Sequence, residues 1–231
     1  MGLNNTYDVA VIGAGVFGAW TAYTLQRAGQ RVVLLDAFGP GNSRSSSGDE
    51  SRVIRTGYGT DEIYSRMAMR SLELWKRFCA ETGQSLFYQT GVLWMAVQDD
   101  AYIAKIRATL EKLGVRHERI EREELDARFP QVNWSGVDWG LLETESGALV
   151  ARRAVAAVVE EACRAGAEYR MAAVSEPQGL LILSEVRTRR GETIRAGSFV
   201  FACGPWMGKI FPQVIGDRIF ATRQEVFYFG V

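Results

Sequence analysis

A doubly wound α/β fold is what this sequence predicts, and three observations predict it. An apolar, β-branched run at 7–12 (YDVAVI) stops at Gly13, a second at 31–35 (RVVLL) stops at Asp36, and 198–202 (SFVFA) is a third buried run entering Gly204-Pro205. The stretch between the first two reads as a helix from about Gly15 to Ala28, ended by Gly29. Together they make a βαβ unit of about thirty residues, whose right-handed crossover sets the two strands side by side and parallel.

Composition frames the rest. The chain has 231 residues, Lys+Arg 27 against Asp+Glu 27 and 47% hydrophobic content, a neutral globular composition sufficient for one or two domains. Balanced charge leaves no broad basic field for a polyanion, and no Lys/Arg stripe carries interleaved aromatics, so nucleic acid is not an expected partner. His117 is the one histidine. This excludes His-pair metal sites and makes a Ser/His/Asp triad improbable, so no metal is expected. Cys79, Cys163 and Cys203 are far apart and odd in number, which reads as a reducing cytoplasm. Residues 9–25 carry no charge, but Asp8 precedes them and Gly13, Gly15 and Gly18 interrupt them. They read as strand, turn and helix, not as a signal peptide or a membrane span.

The remaining elements follow in order. Residues 38–51 (FGPGNSRSSSGDES) are rich in Gly, Ser and Pro and read as loop. Over 61–79 a row of Ile63, Met67, Leu74 and Phe78 lies beside one of Tyr64, Ala68, Leu72, Trp75 and Cys79, predicting a helix with a broad apolar face that stops at Gly83. A strand is expected at 91–97 (GVLWMAV), then an amphipathic helix with Ile103, Ile106, Leu110 and Leu113 on one side, closed by Gly114. The dense alternating charges of 116–128 read as a solvated helix face. A short strand at 139–142, a helix at 150–165 with Val155, Val158, Val159 and Ala162 inward, and a strand at 167–174 come next. Residues 180–186 and 193–195 read as a hairpin turning around Gly191. The chain closes on a strand-like apolar segment at 222–231 (TRQEVFYFGV), so it is expected to stop inside a domain.

Two constellations carry chemistry. Gly13-Ala14-Gly15-Val16-Phe17-Gly18 is a GxGxxG set between strand and helix. Its first glycine permits the tight turn, its second lets a pyrophosphate approach the backbone, and its third brings helix against strand. Amides at the helix start then meet the phosphates. In a chain with 24 glycines the spacing alone is weak, but Asp36 stands 18 residues past Gly18, where a carboxylate accepts hydrogen bonds from ribose hydroxyls and repels a ribose phosphate. A Rossmann-like dinucleotide site is therefore expected and NADP is disfavoured; NAD and FAD are not separated by this turn. The second constellation, 45–59 (SSSGDESRVIRTGYG), puts Arg52 and Arg55 three apart in a loop or first helical turn. It is either a solvated charged loop or a segment returning along an extended cofactor towards its reactive ring.

With these residues in view the sequence resembles the FAD-dependent amino-acid and amine oxidases of the D-amino-acid oxidase superfamily, most of all the branch of monomeric sarcosine oxidase, N-methyltryptophan oxidase and pipecolate oxidase. The likeness runs through GAGVFG at 13–18, LLDAFGP at 34–40, SGDESRVIRTGYG at 47–59, RSLELW at 70–75, GVLWM at 91–95, ETESGALV at 143–150, FACGPW at 201–206 and ATRQEV at 221–226. The serine-rich loop with SRVIR is its most specific piece.

The resemblance implies an FAD-binding domain interrupted by a mostly β substrate domain, the first taking 1–87 and 145–212, the second 88–144 and 213–231. It implies oxidation of the carbon–nitrogen bond of a small amine or amino-acid substrate. Arg55 would pair with the substrate carboxylate, a bidentate task suited to guanidinium geometry. Arg52 would lie close to the flavin ring, where fixed positive charge stabilises the reduced anion. Asp36 would hold the ribose, Ser46 and Ser47 would pass the flavin, and the Val174 backbone would hold the adenine. Ala202, Gly204 and Trp206 match the strand end beside the cofactor, where a glycine permits close backbone approach. Cys203 reads as a small core residue there.

Departures from the family accompany the likeness: Gly48 and Asp49 stand where sarcosine oxidase relatives have a histidine, and family members are much longer. A C-terminal part, or a partner chain, would have to supply the lysine used in oxygen activation, a further flavin-binding glycine segment and any cysteine that links FAD covalently. Two rival readings remain: a non-catalytic dinucleotide-binding module that needs a partner chain, and an NAD-linked dehydrogenase, which leaves the SRVIR loop unexplained.

Overall fold

The computed structural model describes residues 6–177, 183–222, 225 and 227, and the chain divides into two units, Met1–Glu50 with Ala151–Val231, and Ser51–Val150. The first unit opens with β1 (Thr6–Ile12), α1 (Val16–Arg27) and β2 (Val32–Asp36). The second holds β3 (Arg52–Ile54), α2 (Glu62–Thr82), β4 (Phe87–Tyr88), β5 (Val92–Ala96), α3 (Ala101–Leu113), β6 (His117–Glu121), α4 (Arg122–Arg128), β7 (Trp139–Glu143) and β8 (Gly147–Leu149). The chain then returns to the first unit through α5 (Ala151–Arg164), β9 (Glu168–Met171), β10 (Glu185–Arg187) and β11 (Thr193–Phe201). A 3-10 turn (Gly204–Trp206) and the single turns α6 (Met207–Ile210) and α7 (Pro212–Ile215) follow.

In the first unit one sheet runs in the order β10-β11-β1-β2-β9. All neighbours are parallel except β10, which pairs antiparallel to β11 at the edge. The chain starts at β1, steps one way to β2 and β9, then crosses to the other side of β1 for β11. Ligands of open parallel sheets bind outside the carboxyl ends of the strands where the order reverses in this way, and Gly13 lies at that end of β1. On one sheet face Val9, Val11, Val32 and Leu34 are buried, and α1 and α5 bury Ala19, Ala22, Ala154, Val155, Val158 and Ala162. The other face buries Ala10, Ile12, Val33 and Leu35 with Val186, Ile194 and Ala196. Each buried Val or Leu contributes about 1.5–3 kcal/mol of transfer free energy, so the two-sided apolar run is what makes β1 and β2 central strands.

The second unit contains two three-stranded antiparallel sheets, β3-β8-β4 and β5-β7-β6. The unit also carries helices, of which α2 spans 21 residues. Helices α2 and α3 end at Gly83 and Gly114 with φ of 68° and 67°, the left-handed termination the glycines predict. Helix α2 buries Leu72, Trp75 and Phe78, whereas Ile63 and Met67 of the expected apolar row are exposed. Residues 116–128 are a helix only in their second half. Ile120 is fully buried and β6 pairs with β7, because charges alternating with a period of two suit a strand as well as a helix.

The expected division at 87/88 and 144/145 does not coincide with the two units, which place 51–87 and 145–150 in the insert and 213–231 with the first unit. Pairing explains it: β3 and β4 both hydrogen-bond to β8, tying both ends of that stretch into one sheet. The runs expected at 193–195 and 198–202 are one strand, β11, while β9 covers only part of 167–174. The first residues of the expected hairpin, 180–182, lie outside the described residues, and of 222–231 only Thr222, Glu225 and Phe227 are described. Among the described residues no helix is long and apolar enough to cross a membrane.

Candidate functional site

The glycine turn of the first unit is built as its spacing requires. Gly13 has φ 105°, and a Cβ there would fall 2.4 Å from the Ala202 carbonyl oxygen, so β1 and the segment after β11 approach with nothing between them. A Cβ on Gly18 would fall 1.7 Å from the Gly13 oxygen; α1 rests directly on the turn. Gly15 is different. It precedes α1 with φ −72° and ψ −177°, conformations any residue adopts, and a Cβ there would meet only Ser47 Oγ at 3.5 Å. Among the described residues nothing demands a glycine at 15, and the space beside it admits the approach of an outside group.

The donors at this turn are the first amides of α1. Val16 N–H donates to Ser47 Oγ at 3.1 Å, and among the described residues the amides of Phe17 and Gly18 find no acceptor. The Phe17 side chain is 78% exposed. Two backbone donors at a helix start, under a glycine with no Cβ, fit a pyrophosphate.

Asp36 closes the turn from the side. One carboxylate oxygen accepts from Ala14 N–H at 2.8 Å and the other from Phe38 N–H at 2.8 Å and Gly39 N–H at 2.9 Å. Three of about four acceptor positions are used, leaving one for a hydroxyl. Asp36 is therefore first a clasp between the glycine turn and the loop after β2. In that loop Ser46 is exposed and Ser47 half-buried. A Cβ on Gly48 would fall 1.9 Å from the Asn42 oxygen, so no side chain fits at that position in this loop conformation.

Val174 lies past β9 in an isolated antiparallel bridge to Thr188. The bonds of that bridge are Arg189 N–H to Ala173 O and Ser175 N–H to Arg187 O, each 2.8 Å, so the polar groups of Val174 itself are not spent in it. At the end of β11, Ala202 N–H donates to Ile12 O at 2.7 Å and Trp206 is 37% exposed. Gly204 has open space where a Cβ would be; its φ of 52°, not crowding by the protein, calls for glycine. Cys203 Sγ donates to Ile12 O at 3.3 Å, and burial, helped by the charge of Asp36, pushes its thiol up to about 11. It is a core thiol, not a nucleophile.

The arginine segment of the second unit departs from expectation. Arg52 lies in strand β3 instead of a loop or helical turn, because β-branched Val53 and Ile54 pair with Gly147 and Ala148 of β8. Arg52 is exposed. Arg55 follows the strand, half-buried, with its guanidinium carbon 4.5 Å from the centre of the Trp94 ring and 4.9 Å from that of Tyr58. Its Nη1 donates to Gly57 O at 3.3 Å, and among the described residues no carboxylate lies within ion-pair distance. Most of the guanidinium donors are left to face a ligand.

Sequence reasoning gave no role to Glu143, the end of β7. It is fully buried and accepts five hydrogen bonds: from Thr56 N–H and Oγ1 at 2.6 Å each, Gly57 N–H at 3.0 Å, Trp94 Nε1 at 2.8 Å and Ser146 Oγ at 2.6 Å. Burial works against its charge, yet the bonds from Ser146, Thr56 and Trp94 hold the carboxyl below the ordinary carboxylate value. Its one sequence signal was a Glu ending an otherwise apolar strand.

Comparison with known proteins shows the family. A family model described as FAD dependent oxidoreductase matches residues 8–230. The chain is 32% identical to the peroxisomal sarcosine oxidase of Homo sapiens, over 88% of this chain and 52% of that protein. It is 30% identical to the monomeric sarcosine oxidase of Streptomyces avermitilis, over 98% and 59%. Among solved structures, L-proline dehydrogenase from P. horikoshii superposes with a TM-score of 0.80 at 28% identity, covering 91% of this chain and 56% of that one. The chain thus spans a little over half the length of the relatives it matches.

Proposed function

Because the chain belongs to the FAD dependent oxidoreductase family, we propose that it holds FAD at the Gly13–Gly18 turn and serves the oxidation of a carbon–nitrogen bond in a small amino acid or N-alkyl amino acid. The observation that carries the cofactor reading is Gly15, whose missing side chain answers to no crowding neighbour among the described residues and leaves the Phe17 and Gly18 amides approachable. Asp36, with one acceptor position left, takes a ribose hydroxyl; Ser46 and Ser47 line the path of the cofactor; and Val174 offers its backbone to the adenine. Ala202, Gly204 and Trp206 form the wall at the end of β11. The three free thiols Cys79, Cys163 and Cys203 suit a reducing compartment such as the cytoplasm.

When bound, flavin would supply the redox chemistry, that of a hydride acceptor for the carbon beside a neutral amine. The protein's part is binding and charge. Arg55, stacked on Trp94 and Tyr58 with most of its donors unspent, is the anchor for the substrate carboxylate, and Arg52 adds positive charge near the flavin. Sarcosine and related N-methyl amino acids are the substrates to try first, given the two sarcosine oxidases among the relatives.

An absorption spectrum of the purified protein tests the cofactor: bound oxidised flavin is yellow, whereas a nicotinamide or an empty site is colourless. Arg55→Ala tests the anchor. The loss of a charge-assisted pair raises the Michaelis constant for an amino-acid substrate by about 10- to 100-fold. Unchanged kinetics would reject the role.

A further inference from the structure

We propose that Glu143 is a positioning residue whose buried carboxylate fixes two supports of Arg55, the Trp94 ring and the Thr56–Gly57 backbone, so that the guanidinium is pre-ordered for a carboxylate ligand. This rests on the reading of Arg55 as the substrate anchor and says what makes the anchor rigid.

Glu143 binds two of the three groups that Arg55 touches; the third is the Tyr58 ring. One oxygen accepts from Trp94 Nε1 and Gly57 N–H, and the other from Thr56 N–H, Thr56 Oγ1 and Ser146 Oγ. Arg55 in turn lies over the Trp94 ring and donates to the Gly57 carbonyl. An indole that donates to an anion becomes richer in electrons on its face, which strengthens its hold on a guanidinium above it. Space is tight as well: a Cβ on Gly57 would fall 2.7 Å from Ile106 Cγ2 and 2.9 Å from Glu143 Oε1, so the Gly57 backbone packs directly against both side chains.

Two other roles are open to such a group. As a loop staple alone, Glu143 affects stability without regard to the charge of the ligand. As a through-space charge, it repels a carboxylate ligand, and removing it tightens binding. The positioning role differs from both, because a shortened carboxylate at 143 keeps the charge but loses the geometry, and then only carboxylate recognition suffers.

The test is anaerobic calorimetric titration of the flavin-loaded protein, its flavin reduced beforehand so that sarcosine binds without being oxidised, with sarcosine and with its amide, which lacks the carboxylate, comparing wild type, Glu143→Asp, Glu143→Gln, Trp94→Phe and Arg55→Ala. Glu143→Asp should lower the preference for sarcosine over the amide about tenfold, the scale of losing one pre-ordered long side chain, with amide affinity unchanged. Trp94→Phe, which keeps a ring but loses the N–H, should lower it about threefold. If Arg55→Ala abolishes the preference while Glu143→Asp and Trp94→Phe retain it, the positioning role falls and the anchor stands. If Arg55→Ala retains the preference, the anchor reading itself falls. Tighter sarcosine binding by Glu143→Gln with Glu143→Asp unchanged points to through-space charge and overturns the proposal. Equal weakening of both ligands points to a staple and overturns it too. Should the Glu143 variants not fold, Trp94→Phe decides.

Discussion

The glycine turn of the first unit and the arginine platform of the second offer an anion opposite kinds of donor. At the turn the working groups are backbone: the Phe17 and Gly18 amides, made approachable by glycines. On the platform they are side chains: Arg55 on two aromatic rings, supported by a buried carboxylate with five donors. A backbone site is sensitive to any added atom. A side-chain site depends on which hydrogen bonds are filled. The largest effect of a single methyl should therefore fall at Gly18. In Gly18→Ala the new carbon would lie 1.7 Å from the Gly13 oxygen and 2.9 Å from its carbonyl carbon, both backbone, so β1 or α1 must move. We expect a loss of about 3 kcal/mol or more, seen as a thermal midpoint lowered by about 6–12 °C. A midpoint within a degree or two of wild type would refute the crowding.

Next in size is the loss of the carboxylate on the platform. Glu143→Ala leaves five donors without their acceptor, and denaturant unfolding should show a loss of about 2–3 kcal/mol. The pH dependence has a definite sign. The folded-state carboxyl is held below its ordinary value of 4.5, so its contribution is complete above that value and is lost as pH falls below it through the folded-state value. The stability gap between wild type and Glu143→Gln should therefore narrow as the protein is taken from neutral pH to below 4.5. A gap that widens on acidification means the carboxyl is not ionised in the fold.

The same contrast governs how much could be read from the sequence. The turn was legible because backbone sites leave marks in local order: an apolar strand, three glycines at fixed spacing, a helix and an acid after the second strand. Helix ends at Gly83 and Gly114 were legible for the same reason. The platform was not, since Glu143 meets Thr56 and Trp94 across 87 and 49 residues of chain, contacts that exist only once β5 and β7 have paired. The helix-or-loop reading of Arg52 failed alike. Three residues of β3 form a strand because β8, nearly a hundred residues later, supplies the partner. Composition separated apolar from charged residues in 116–128 but not a period of two from one of 3.6, so β6 was hidden within a charged run.

The smallest effect on stability is expected at Gly15, and its smallness is informative. Its dihedral angles are open to alanine, and the one neighbour of a new Cβ, Ser47 Oγ at 3.5 Å, is at ordinary van der Waals distance. Gly15→Ala should stay within about 1 kcal/mol of wild type, the range for exchanging residues at a helix N-cap. If the glycine is there to admit a pyrophosphate, the same methyl stands where the phosphates approach the Phe17 and Gly18 amides, and flavin affinity should fall about tenfold or more. Unfolding curves of the apoprotein and flavin titration of both proteins measure the two quantities separately. Stability kept with flavin binding lost would mean that Gly13 and Gly18 serve the fold and Gly15 the ligand. Retention of flavin by Gly15→Ala at wild-type affinity would remove the division of labour and with it the main reason to place the cofactor at this turn.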